Sequence, residues 1–223
     1  KFSYLAKQRD PNVITIFGGP NFPTDEKEKI EFLAKRPAID FYIEFEGELA
    51  FVDLIKNLSE YNFDALHFKK HRKSIINTCY INENELVTGP IERIKDINEI
   101  PSPYLSGIMD EYFELPLVPM LETNRGCPFT CTFCADGIAI KNKIHRHDPQ
   151  RIKDELEYIA KRAKNVEELI ITDLNFAMYK QDIVTAKVIA ELQQKYNWPR
   201  LIQATTGKNM HTRIREIASM IKG

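Results

Sequence analysis

"LVPMLETNRGCPFTCTFCADG", residues Leu117 to Gly137, runs from an apolar stretch into a loop holding three of the chain's four cysteines. Cys127, Cys131 and Cys134 stand in a C-x3-C-x2-C spacing, and Cys79 lies far off in sequence. Thiolates held this close on one loop are ligands for zinc or for an iron–sulfur cluster. Structural zinc takes four closed ligands, and the fourth would have to come from Cys79, His145 or His147. Three thiolates suit a [4Fe–4S] cluster with one iron left open to another molecule. Gly126 permits an unusual backbone angle and Pro128 stiffens the start of the loop. Backbone N–H groups between the cysteines can stabilise the negative charge of a cluster.

Outward from the loop, Leu117–Thr123 reads as the strand that feeds it. Asp148 caps a helix with Pro149 at its first position, and Ile152, Leu156 and Ile159 line its inner face. Leu169–Thr172 is the next strand, with Asp173–Met178 as the loop after it. Ile183–Tyr196 is a helix, Arg200–Thr205 a strand, and Thr212–Ile221 a helix. Three consecutive βα units predict the first half of a (β/α) barrel, whose sites lie at the C-terminal ends of the strands.

Upstream, Val13–Phe17 is a strand ended by Gly18-Gly19-Pro20, and Thr24 or Asp25 caps the helix that follows. Ile39–Phe45 is a second strand, closed by Glu46-Gly47-Glu48. Phe51, Leu54, Ile55 and Leu58 then mark an amphipathic helix. Strand and helix alternating with short turns predict a parallel α/β sheet. Ile75–Tyr80 and Glu85–Thr88 flank an Asn-rich turn and predict a hairpin; Pro101 and Pro103 fix an extended linker after it. The chain therefore divides at 1–66, 67–116 and 117–223.

The 31 basic and 32 acidic side chains nearly cancel, so no basic field points to nucleic acid. No apolar run approaches the ~20 residues of a membrane span, and Lys1–Asp10 is too polar for a signal peptide. Clustered cysteines in a chain of this size predict a reducing, cytoplasmic setting. Opening on Lys1 just before a strand, and stopping just after a helix, the chain reads as a segment of a longer protein. Half a barrel with an open sheet edge is not expected to act alone.

The cysteine loop resembles that of the radical S-adenosylmethionine (SAM) superfamily, C-x3-C-x-Φ-C, with Phe133 as the aromatic Φ. The resemblance implies that SAM chelates the fourth iron. It also implies that one electron from the cluster cleaves SAM to methionine and a 5′-deoxyadenosyl radical, which takes hydrogen from an unactivated carbon. Asp173-Leu174-Asn175-Phe176 departs from the superfamily's Gly-Gly-Glu stretch and resembles the Asp-x-x-Phe of its cobalamin-associated branch. That implies Asp173, Asn175 and Phe176 near SAM; read without it, the stretch is a capping Asp and a core Phe. Thr205, Thr206 and Lys208 end the third strand, where SAM's carboxylate or ribose is often met, or form a solvated turn. Arg146 is a candidate for SAM's carboxylate and Arg125 for a structural ion pair, while His145-Arg146-His147 is expected as a polar surface turn.

"ITIFGGP" and "FEGE" ahead of "IPSPY" resemble the C-terminal part of a doubly wound cobalamin-binding domain. The resemblance places Gly18, Gly19, Glu46 and Gly47 at the corrinoid, where the Gly-Gly turn lets backbone approach its nucleotide tail. The branch's Asp-x-His-x-x-Gly element is absent from these residues. The expected protein is a radical SAM enzyme with a [4Fe–4S] cluster, SAM and cobalamin, transferring a methyl group to a carbon of a small molecule or peptide. A flavodoxin or ferredoxin is the expected electron donor. The rivals are a radical SAM enzyme whose front domain binds no corrinoid, and a zinc-stabilised binding module. A methylthiotransferase is disfavoured by the lack of a second cysteine set.

Overall fold

The computed structural model describes residues 1–207 and 209–221, so Lys208 lies outside the described residues. Two compact units follow one another, Lys1–Ile94 and Lys95–Gly223. Among the described residues, no helix is long and apolar enough to cross a membrane.

The first unit runs α1 (Phe2–Arg9), β1 (Ile16–Gly18), α2 (Glu26–Ala34), β2 (Phe41–Ile43), α3 (Glu48–Ser59), α4 (Ala65–Lys70), β3 (Thr78–Asn82) and β4 (Glu85–Thr88). Its sheet has the order β1-β2-β3-β4; β1 and β2 are parallel, and the hairpin β3-β4 is added antiparallel, with Tyr42 opposite Cys79. The hairpin predicted from the Asn-rich turn thus continues the first sheet. Asp25 starts α2 by accepting from the Glu28 amide at 3.2 Å, a side-chain cap for a donor the helix leaves unpaired. Regular pairing in β1 begins at Ile16, because the Thr15 amide donates to the Asp40 carboxylate at 2.8 Å. The strand is therefore shifted from the predicted Val13–Phe17. Phe41, Leu54, Leu58, Phe68, Ile75 and Tyr80 form the core beneath this sheet.

The second unit contains β5 (Met120–Leu121), β6 (Asn124–Arg125), β7 (His145–Arg146), α5 (Pro149–Arg162), β8 (Glu168–Phe176), α6 (Asp182–Tyr196), β9 (Leu201–Thr206) and α7 (His211–Met220). β5, β8 and β9 form a parallel sheet in the order β5-β8-β9, and β6 and β7 form a separate antiparallel pair. Asp148 caps α5 by accepting from the Gln150 amide at 2.7 Å, with Pro149 in the first turn. Ile152, Leu156 and Ile159 from α5 meet Leu169 and Ile171 from β8 and Ile189 from α6 in one core.

Three expectations are corrected here. The strand Leu117–Thr123 shortens to Met120–Leu121, because Thr123 and Asn124 turn to the side chain of Asp173. Asp173–Phe176 is strand, the irregular end of β8, where the register with β9 shifts between Ile171 and Phe176. His145–His147 is not a polar surface turn: His145 pairs with Arg125 in the β6–β7 ladder, and both histidines are buried. Burial is possible because His145 Nδ1 donates to the Lys95 carbonyl at 2.8 Å.

Leu54 is fully buried in the first unit, whereas Leu49 on the same helix is 48% exposed. Leu54→Ala is expected to cost about 2–5 kcal/mol of stability and Leu49→Ala within about 0.5 kcal/mol of nothing. Urea unfolding of the two variants measures the difference.

Candidate functional site

The cysteine loop leaves β6 and is tied down by its own backbone. The Cys127 amide donates to the Lys141 carbonyl at 3.0 Å, the Cys134 amide to Cys131 at 3.1 Å, and the Gly137 amide to Cys134 at 3.0 Å. Gly126 has φ +117°, and a Cβ there would stand 2.5 Å from the Lys143 carbonyl oxygen. A Cβ on Gly137 would stand 2.3 Å from the Cys131 carbonyl oxygen. Both positions admit only glycine without displacing backbone. A Lys141–Asp136 ion pair at 2.6 Å closes the loop's far side.

All four cysteines are free thiols: Cys127 and Cys131 are half-buried, Cys134 is exposed, and Cys79 is buried. Among the described residues no three His, Cys, Asp or Glu side chains are gathered closely enough to hold a metal ion. The chemistry of the donor set nevertheless fits an iron–sulfur cluster, since it offers three unpaired thiols on one tethered loop. One of them is already engaged, with the Asn175 side-chain amide donating to Cys127 Sγ at 3.2 Å. The Asp136 amide similarly points at Cys134 Sγ, at 3.4 Å. Among the described residues of this unit, three buried polar atoms also have no hydrogen-bond partner: Asn124 Oδ1, His147 Nδ1 and the Tyr179 hydroxyl. Burial pushes the Tyr179 phenol up, and nearby Cys127 adds to that. Unpaired polar atoms are costly to bury, and a polar ligand behind the loop would satisfy such groups.

Asp173 is the anchor of this region. Its carboxylate accepts from the Thr123 amide (2.7 Å), the Thr123 hydroxyl, the Asn124 amide (3.2 Å) and the Asn124 side chain (2.7 Å). Only 2% of Asp173 is exposed, so both its oxygens are committed to the chain entering the cysteine loop. Asn175 is brought to the loop, whereas Phe176 packs into the hydrophobic core. Phe133 is exposed at the loop's surface. Arg125 pairs with Glu122 at 2.8 Å, and Arg146 lies over the Tyr179 ring, 4.5 Å from its centroid. Thr205 and Thr206 are exposed at the end of β9.

In the first unit, Gly18 ends β1 and Gly19 takes φ +111° with open space where a Cβ would be. The Tyr42 hydroxyl donates to the Gly19 carbonyl at 3.0 Å. Gly47 precedes the first turn of α3. Glu46 is buried, and its carboxylate accepts from Arg93 Nε (3.0 Å), Arg93 Nη2 (2.9 Å) and the Ile94 amide (2.5 Å). Cys79 is fully buried in β3, where burial pushes its thiol up to about 12.

Sequence reading missed Thr123, Asn124 and Tyr179. The signal for the first two was the pair of hydrogen-bonding residues between a strand and a cysteine loop; Tyr179 carries no local pattern.

Parallel strands separated by helices, with a three-thiol loop that leaves β6 just after the first of them, give the chain the frame of a protein that resembles a radical SAM core. The chain is homologous over nearly its whole length to the cobalamin-dependent branch of that family. It is 32% identical to the cobalamin-dependent radical SAM methyltransferase TokK of Streptomyces tokunonensis, over 98% of this chain and 31% of that protein. It is 31% identical to 2-(S-pantetheinyl)-carbapenam-3-carboxylate methyltransferase of Streptantibioticus cattleyicolor, again over 98% of this chain and 31% of that protein. The chain thus spans about a third of the length of these curated relatives. The methyltransferase TsrM from Kitasatospora setae, solved with cobalamin and a [4Fe-4S] cluster, shares the fold with TM-score 0.61 at 15% identity, over 98% of this chain and 44% of that one. The cobalamin-dependent SAM radical enzyme OxsB, solved with aqua-cobalamin and SAM, matches at TM-score 0.55 and 20% identity, over 86% of this chain and 26% of that one. No family model matches the chain.

Two buried groups behind the loop titrate in opposite senses. Burial raises Asp173 from 3.8 to about 6 and lowers His147 from 6.5 to about 4. Between about pH 4 and 6, folded Asp173 holds more protons than unfolded Asp173, so its contribution to stability falls as pH rises. Folded His147 holds fewer protons than unfolded His147, so its contribution rises over the same window. Relative to the parent chain, Asp173→Asn should therefore gain stability and His147→Gln should lose it as pH rises from 4 to 6. Denaturant unfolding across that range measures both slopes.

Proposed function

We propose that this chain takes part in a cobalamin-dependent radical SAM reaction, with Cys127, Cys131 and Cys134 holding three irons of a [4Fe–4S] cluster. The observation that carries the reading is the tethered C-x3-C-x2-C loop of free thiols that leaves β6 just after the first strand of a parallel sheet, with the Asn175 amide hydrogen-bonded to Cys127 Sγ. When bound, the cluster supplies one electron to SAM, and cobalamin supplies a methyl carrier. The chain's own part is to position and to exclude water. Asp173 fixes the Thr123–Asn124 segment that feeds the loop, and so acts as a positioning residue for Cys127. Asn175 orients the Cys127 thiolate by donating to sulfur. Phe133 flanks the cluster from the exposed side, and Phe176 holds the end of β8 from the core.

In the first unit, Gly18 and Gly19 leave backbone open to the corrinoid, as the space over Gly19 supports. Glu46 and Gly47 shape the following turn, with Glu46 tethering Arg93 and Ile94. Methyl transfer is the outcome we favour, because the two curated relatives are both named methyltransferases. The acceptor is a carbon of a small molecule or peptide, and a flavodoxin- or ferredoxin-like protein delivers the electron.

Iron and acid-labile sulfide after anaerobic reconstitution test the reading, together with electron paramagnetic resonance before and after adding SAM. About four irons per chain and a spectrum altered by SAM are expected. Cys127→Ala, Cys131→Ala and Cys134→Ala should each lose the intact cluster, and Cys79→Ala should keep it. Zinc in place of iron, or iron loss in Cys79→Ala, would overturn it. Retention on immobilised cobalamin tests the corrinoid part separately.

A further inference from the structure

The first unit holds a pair of side chains that the radical SAM reading does not use. His67 on α4 and His71 at its C-terminal cap are four residues apart and therefore share one helix face. Their Nε2 atoms stand 3.3 Å apart, and both residues are exposed. Two imidazole nitrogens bonded to one tetrahedral zinc at about 2.0–2.1 Å are themselves roughly 3.3 Å apart. The separation in the protein is thus that of two ligands on one ion. When Nδ1 carries the proton on each ring, both Nε2 lone pairs are free for a metal.

The pair is held in place before any ion arrives. Tyr61 packs edge-on against the His67 ring, with centroids 5.3 Å apart, and tilted against the His71 ring at 5.0 Å. The His67 amide is fixed by the Asp64 side chain at 2.8 Å. Basic neighbours would ordinarily repel a cation, but three of them are matched by carboxylates. Lys69 lies 3.5 Å from Asp40, Arg72 is 2.6 Å from Glu85, and Lys73 is 2.6 Å from Glu60. Lys73 also lies over the Tyr61 ring, 5.0 Å from its centroid, which draws its charge to the ring's face.

We propose that His67 and His71 form a two-imidazole site for a divalent transition-metal ion such as zinc, which staples the last turn of α4. Two positions on the ion stay open to water. The staple matters because α4 has only six residues, too few for a helix to be stable by itself. That helix carries Phe68, which is fully buried against Phe41 and Tyr80 in the core. Imidazole suits zinc, copper and nickel, and an ion bound only to the folded form raises stability by mass action.

The test removes the competing thiols by placing Cys127→Ser, Cys131→Ser and Cys134→Ser together in the full chain. Zinc chloride is then titrated calorimetrically, and the melting temperature is followed with and without zinc. One equivalent of zinc bound and a raised melting temperature are expected, and both should vanish on adding His67→Gln or His71→Gln. Should the triple serine chain fail to fold, the wild-type chain alkylated with iodoacetamide replaces it, because Cys79 is buried from the reagent. No zinc bound by the parent, or binding unchanged when both histidines are replaced, overturns the proposal. With the loop thiols removed or blocked, either result is independent of the cluster reading.

Discussion

The carboxylate of Asp173 joins two strands that the sheet itself leaves apart at their ends. β5 and β8 pair only through Met120–Ile170 and Leu121–Ile171. Beyond that point the Thr123 and Asn124 amides donate to Asp173 in place of a β8 ladder, and the Thr123 hydroxyl and Asn124 side chain add two more bonds to the same carboxylate. Everything downstream inherits this geometry: β6 leaves Asn124 in a set direction, Gly126 makes the left-handed turn, and Cys127 arrives within reach of Asn175. A carboxylate this deep is held against its own desolvation, which is why its proton affinity rises even while four donors surround it.

The surroundings of that anchor are polar to an unusual depth. His147, Asn124 and Tyr179 each bury an atom without a partner, and Asp182 is buried with its carboxylate accepting from the Tyr179 amide at 2.8 Å. A core built only for stability would replace such groups with apolar ones. Their concentration beside the cysteine loop sets this part of the second unit apart from its apolar core. The hydrophobic cluster around Leu156, Ile159 and Leu169 supplies the rigid base. The first unit solves a similar problem differently. Glu46 accepts from Arg93 and from the Ile94 amide, and so holds one segment of chain in place.

The longer helices and the main strands were legible from residue pattern, because helix caps and apolar periods are local properties. The elements α1, α4 and the short pair β6–β7 were not, and a helix stands where the sequence reads as opening just before a strand. Asp25, Asp148 and Pro149 sit where their chemistry requires, and α3 buries Leu54 and Leu58 as its spacing demanded, although Phe51 of the same predicted stripe is 48% exposed. Strand ends were not legible. Whether Thr123 continues β5 or turns away depends on Asp173, fifty residues later, and whether Asp173 itself is loop or strand depends on the shifted pairing with β9. The burial of His145 and His147 was equally out of reach, since it rests on the Lys95 carbonyl and the pairing with Arg125.

By itself the sequence determined the three-thiol loop, the glycine at its start, and the alternation of strands and helices on either side. These follow from spacing, and spacing is covalent. Only the tertiary structure decided which side chains surround those thiols. It gave Asn175 to Cys127, turned Asp173 inward to the backbone, sent Phe176 to the core and brought His67 to His71. The first three depend on strand pairings and packing between residues far apart in the chain. The fourth depends on rotamers that the Tyr61 ring selects. No local pattern encodes the first three contacts, because their free energy exists only once the distant partners have met, whereas the fourth joins residues one helical turn apart.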